Sequence, residues 1–144
     1  MPGEGADVVV TSDEDAVRAV NTALYEAFET ADVERMHAVW DDADPESVVC
    51  VHPGWPALRG RRQVLRSWSA VMATTDYVQF VLSDVHVSIE GDTAVVTCTE
   101  NVLTDVTDMN GGAVVATNVF RRRPGGWRLQ VHHGSPVMGR LEEE

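Results

Sequence analysis

Residues 77–103 read YVQFVLSDVHVSIEGDTAVVTCTENVL, the longest stretch of the chain with a strand-like period. Valine, isoleucine and threonine recur with a period near two, the pattern of strands that send alternate residues to opposite faces. Gly91-Asp92 breaks the run with turn chemistry, so Tyr77–Glu90 and Thr93–Asp105 are predicted to pair as an antiparallel hairpin. The same period continues in Ala113–Arg123 and Trp127–His133. The separators are Asn110-Gly111-Gly112 and Pro124-Gly125-Gly126. Four sequential strands with tight connections make a meander.

Upstream the period changes to that of a helix. Thr11 and Glu14 have capping-box spacing, with Asp13 and Asp15 at the positive end of the helix dipole. Val17, Val20, Leu24, Ala27 and Phe28 then form an apolar stripe through about residue 30. Asp32 is placed to cap a second, shorter helix bearing Val33, Met36, Val39 and Trp40, which the acidic run Asp41–Glu46 ends at Pro45. Val48–His52 reads as a short strand and Pro53-Gly54-Trp55-Pro56 as a rigid turn. Val64, Leu65, Trp68, Val71 and Met72 mark a third helix. Three helices, one early strand and a meander predict an α+β fold. Its twisted sheet must bury one face against the helices, which leaves a cone with a pocket at its mouth. The expected organisation is a loose arm over residues 1–10, a domain over 11–137 and an acidic tail over 138–144.

Composition narrows the function classes. The 144 residues hold 11 basic and 23 acidic side chains, a net charge of −12. Every basic residue is arginine; there is no lysine. This balance argues against sequence-independent nucleic-acid binding and against anionic membranes. Without lysine there is no Schiff-base chemistry and no P-loop. No apolar run reaches membrane-span length. Met1–Asp7 carries acids and no basic residue, so it does not read as a signal peptide. Cys50 and Cys98, distant and outside any CxxC, read as reduced, buried thiols of a cytoplasmic protein.

Particular segments resemble the SnoaL-like branch of the nuclear transport factor 2 (NTF2) superfamily, which includes ketosteroid isomerase. They are Glu29-Thr30-Ala31-Asp32, Trp40-Asp41, Val51-His52-Pro53-Gly54-Trp55, Leu58-Arg59-Gly60, Gly91-Asp92-Thr93-Ala94, Trp127-Arg128-Leu129 and His132-His133-Gly134-Ser135. The resemblance spans roughly residues 13–136 and implies a cone-shaped fold with an internal cavity, a homodimer and no cofactor. It does not imply one activity, because the superfold hosts isomerases, dehydratases, hydrolases, binding proteins and assembly domains. In the isomerases the general-base aspartate stands just before a proline at the end of the first short strand. The matching position here is His52, a residue type suited to proton transfer near neutral pH. The isomerase oxyanion-hole positions depart from the pattern: the tyrosine falls at Leu24, beside Tyr25, and the acid at Asn118. Steroid isomerisation is therefore not the expected reaction.

Strand alternation supplies the remaining candidates. Ala94, Val96, Cys98 and Glu100 share one face, so Glu100 either enters the cavity or ends a strand beside an arginine. Asn118 shares a face with Val114, Ala116 and Phe120, and either contacts a ligand or pairs with backbone or Glu100. Trp127, Leu129, Val131 and His133 share a face, which makes His133 the cavity candidate or a core histidine, and sends His132 outward. Trp40 and Trp55 flank His52; Trp55 either roofs the cavity or plugs it. No ligand spacing supports a metal at His52, His133 and Glu100. The arginines at 59, 61, 62 and 121–123 read as solvated charge.

The leading expectation is a cavity protein that takes a small apolar or polycyclic molecule. It would perform cofactor-free proton transfer (isomerisation, dehydration, cyclisation or hydrolysis) with His52 as base. Glu100, Asn118 and His133 would be polar contacts, and Tyr25, Trp40 and Trp55 walls. The alternatives are a non-catalytic ligand-binding domain and a structural dimerisation module. Val95, Val115 and Val119 on the meander's outer face support a dimer.

Overall fold

A computed structural model describes residues 12–104 and 112–138. The expected arm over 1–10, the Thr11 cap, the Asn110-Gly111 part of one turn and nearly all of the acidic tail lie outside the described residues. Helix α1 spans Asp13–Glu29. Its cap is Ser12, whose hydroxyl accepts from the Asp15 backbone N–H at 3.0 Å, one residue later than the expected threonine. Helix α2 (Val33–Val39) is capped by Asp32, which accepts from the Arg35 N–H at 3.1 Å. Helix α3 spans Arg61–Ala73. No helix among the described residues is long and apolar enough to cross a membrane.

The strands are β1 (Val49–Val51), β2 (Leu58–Arg59), β3 (Val78–Glu90), β4 (Thr93–Thr104), β5 (Ala113–Arg123) and β6 (Gly126–Pro136). They form one six-stranded sheet in the order β2-β1-β6-β5-β4-β3. The meander pairs antiparallel as the periodicity predicts. Strand β1 returns to lie parallel beside β6, placing Cys50 opposite His132. The two-residue β2 is an addition to the five expected strands; a strand that short has no period to read.

Two bulges bend the sheet. In β3 the register with β4 shifts between Ser83 and His86, where Asp84 takes a φ of 53°. Each extra residue reverses the facing of the residues after it, so Val85, Val87 and Ile89 turn inward after Phe80 and Leu82. In β6 Val119 pairs with Val131 and Phe120 with Leu129, which leaves Gln130 unpaired. From there on His132 and Gly134 face inward and His133 faces solvent.

The inner face and the helices share one core, in which Leu24, Trp40, Phe120 and Leu129 are all at most 1% exposed. Full burial stabilises each aliphatic or phenyl side chain by roughly 1.5–3 kcal/mol. Among the described residues one ion pair has a fully buried member: Asp41 receives the partly exposed Arg123 through two 2.8 Å hydrogen bonds. Burial alone would raise the Asp41 pKa. The guanidinium and the N–H groups of Ala43 and Asp44 outweigh it and hold the carboxyl below its usual range.

Candidate functional site

The open end of the cone holds a cavity of about 350 Å³. Its walls come from every layer of the fold. Helix α1 contributes Tyr25 and Phe28, the segment after β1 His52 and Trp55, and α3 Trp68 and Thr75. The sheet supplies Phe80, Glu100, Val114 and His132. No arginine lines this cavity among the described residues. A larger depression of about 560 Å³ lies over α3 between His37, Arg61, Arg62 and Arg66, but it is open to solvent. Its partly buried polar side chains among the described residues are Arg61 and Ser69, and Arg61 is spent on the backbone carbonyls of Asp41 and His37.

Glu100 stands on the inner face of β4 and is 4% exposed. Tyr25 donates to its Oε2 at 2.7 Å. Burial pushes the carboxyl up to about 7, and the tyrosine hydrogen bond only partly offsets this. Burial and the neighbouring Glu100 push the Tyr25 phenol far above its ordinary value, so it remains a proton donor. The alternation that placed Glu100 on the inner wall therefore describes its position.

His52 also faces the cavity, 5% exposed, with its ring between Trp55 and Trp68 at centroid distances of 4.8 and 4.7 Å. Its Nε2 lies 2.9 Å from Ser67 Oγ. That oxygen is 2.6 Å from the Val64 carbonyl, which has no proton, so the hydroxyl donates there and must accept from His52 Nε2–H. The acceptor of His52 is then Nδ1. Burial lowers its pKa to about 4, which leaves the ring neutral near pH 7.

The remaining expected residues divide. Trp55 stands at the rim, 44% exposed, and neither plugs the cone nor is lost to the core. Trp40 is corrected: it is 1% exposed, forms a bridge to Leu129 and does not line the cavity. His133 is corrected as well, because the Gln130 bulge turns it outward and puts His132 on the wall. Asn118 is fully buried one layer behind the wall. Its oxygen lies 2.6 Å from His132 Nδ1, and its nitrogen donates to Asn21 Oδ1 at 2.8 Å and to the Tyr25 hydroxyl at 3.2 Å. The expected pairing of Asn118 with Glu100 is thus relayed through Tyr25.

Sequence reasoning missed Asn21, Ser67 and His132. Asn21 had a signal: it lies on the α1 stripe between Val17 and Leu24, where an amide needs a buried partner. Among the described residues no group of three metal-ligating side chains comes together. Cys50 and Cys98 are free and buried; burial lifts the Cys50 thiol to about 12.

The geometry has relatives. A candidate dehydratase of the NTF2-like family from Streptomyces avermitilis is 51% identical; the match covers 88% of this chain and 97% of that one, at a TM-score of 0.79. A candidate calcium/calmodulin-dependent protein kinase type II association domain from Thiobacillus denitrificans is 32% identical over 84% of this chain and 94% of its own, at a TM-score of 0.75. The F-box protein SKIP8 of Arabidopsis thaliana is 28% identical over 123 residues; this chain spans 50% of its length. The SnoaL-like domain family matches residues 17–139. On that match and on the α+β cone itself, the chain belongs to the SnoaL-like family of the NTF2-like fold.

Proposed function

We propose that residues 11–137 form one small-molecule domain whose cavity performs cofactor-free proton transfer on a compact, mostly apolar ring compound. One observation carries this reading: the Glu100 carboxyl closes the inner wall of an aromatic cavity and meets Tyr25 and no cation. A carboxyl held near pH 7 exchanges protons where catalysis needs it to. This moves the base from His52, whose Nε2 is spent on Ser67 and whose ring is a weak base, to Glu100. His52 then orients the ligand, Tyr25 holds the Glu100 carboxyl in place through its hydroxyl, and Trp55 covers the entrance. The volume lies at the small end of known ligand pockets. The candidate dehydratase at 51% identity supports this chemistry, since eliminating water next to a carbonyl uses a base to take the acidic C–H proton. The reading places the protein in the reducing cytoplasm, where both thiols stay free.

The test uses a model ketone, 2-tetralone, whose α-hydrogens exchange with D2O once a base removes them. The protein should accelerate that exchange, with a rate that rises with pH to a plateau above about 7. Glu100→Gln should lower it by roughly 10²–10⁴-fold while tryptophan quenching by the ketone persists. Unchanged exchange in this variant would remove Glu100 as the base. Binding without exchange in the unmodified protein would leave a ligand-binding domain.

Association is a second reading, favoured by Val81, Leu103 and Val115, which are 44–51% exposed on the sheet. It is supported by the candidate association domain at 32% identity. A homodimer should sediment at micromolar concentration, and Val115→Asp should return it to monomer.

A further inference from the structure

The hydrogen bonds behind the cavity run in one direction, and the chemistry of the groups fixes it. An amide oxygen carries no proton, so the 2.6 Å contact between His132 Nδ1 and Asn118 Oδ1 requires the proton to be on Nδ1. With the Asn118 nitrogen donating to Asn21 Oδ1 and to the Tyr25 hydroxyl, its oxygen is the atom that faces His132. Tyr25 in turn gives its own proton to Glu100. His132 Nε2 is what remains. Among the described residues no protein partner is seen for it, and the ring, 3% exposed, forms part of the cavity wall.

We propose that Asn118 is a positioning residue: it holds His132 in the Nδ1–H tautomer, so that the inner wall presents an Nε2 lone pair and selects a neutral ring molecule bearing a hydroxyl. The inference rests on the reading that the cavity takes a small molecule. The selection comes from the balance of groups. Tyr25 already donates to Glu100, His52 offers Nδ1, and His132 offers Nε2, so the wall is rich in acceptors. Among the described residues no arginine lines the cavity to hold a carboxylate or phosphate. The groups packed around His132 are Tyr25 of α1, Cys50 and His52 at β1, Trp68 of α3, and Asn118 of β5, with Glu100 reached through Tyr25. Burial and the two neighbouring histidines, His52 and His133, keep its pKa at about 3, so the lone pair survives at neutral pH.

Nitrogen-15 NMR of histidine in the ligand-free protein tests the tautomer directly, with the His132 signals assigned by their loss in His132→Gln. The expected spectrum is that of a neutral ring with Nδ1 protonated and Nε2 bare from pH 8 down to pH 5. A protonated Nε2, or averaging between tautomers, overturns the proposal. Asn118→Asp should move the His132 titration above pH 6, because a carboxylate replaces a neutral amide on Nδ1. Two probes of closely similar shape then test selection: 2-naphthol, which donates, and 2-methylnaphthalene, which does not. Naphthol should bind at least about fivefold more tightly. Equal affinity overturns the selection. If neither probe binds while the tautomer is as expected, it is the cavity reading that has failed.

Discussion

Ser67 has one hydroxyl proton and two neighbours within reach of it. Because the Val64 carbonyl takes that proton, the side chain is left as the acceptor that fixes His52. Ser67→Ala should leave the Nε2–H of a buried ring with only the weak acceptor Cys50 Sγ at 3.8 Å and destabilise the protein by about 1–3 kcal/mol in urea unfolding. No change would mean that Nε2 is not the protonated nitrogen. His52→Ala should weaken binding of the ketone while leaving far more exchange activity than Glu100→Gln does. At this scale the sequence was readable wherever the period held. Alternation placed Glu100, Tyr25 lies one residue from the family position, and the proline after His52 marked the end of its strand. It could not show that Ser67 would tie up the histidine, because a serine one residue before a core tryptophan on α3 has no signature of its own.

The elements explain where the reading failed. In β3 the apolar residues change parity between Leu82 and Val85, so that bulge is written in the sequence. In β6 no such mark exists: Gln130, His132 and Gly134 turn inward and Val131 and His133 outward, against hydrophobicity. The cause is tertiary. Gln130 donates to Ser47 at 2.8 Å, and Gly134 leaves room for Pro53, whose Cγ would lie 3.1 Å from an added Cβ. Deleting Gln130 should therefore turn His132 to solvent and abolish its expected NMR signature. A second tie joins β5 to the exit of α2, where Asp41 is held by Arg123. Arg123→Met should cost about 3–5 kcal/mol of unfolding free energy, because it leaves a buried charge unpaired. Glu26 and Arg35, half exposed at 3.1 Å, should contribute less than about 1 kcal/mol.

For the whole molecule, three buried groups at the cavity set the response to pH. Glu100 has a folded pKa of about 7, above its unfolded value, so its contribution is complete in acid and is lost as pH rises through 7. His52 and His132, at about 4 and about 3, lie below theirs, so their contribution is complete above about 6.5 and is lost as pH falls. Two histidines oppose one carboxyl, and stability should fall between about pH 6.5 and 4.5. Asp41, held low, adds its own loss only at more acid pH. The slope of unfolding free energy near pH 5.5 should correspond to uptake of about one proton, and to about two in Glu100→Gln. An equal slope in both proteins would show that Glu100 is already ionised there. The carboxyl at the inner wall also gives the cavity a direction in time. A neutral molecule can enter beside the ionised Glu100 that acts as base, but an anion meets that carboxylate with no arginine among the described wall residues to offset it, and binds weakly. The pocket then works as a charge valve that clears itself, and 2-naphthoate should bind roughly tenfold or more weakly than 2-naphthol, the gap widening above pH 7.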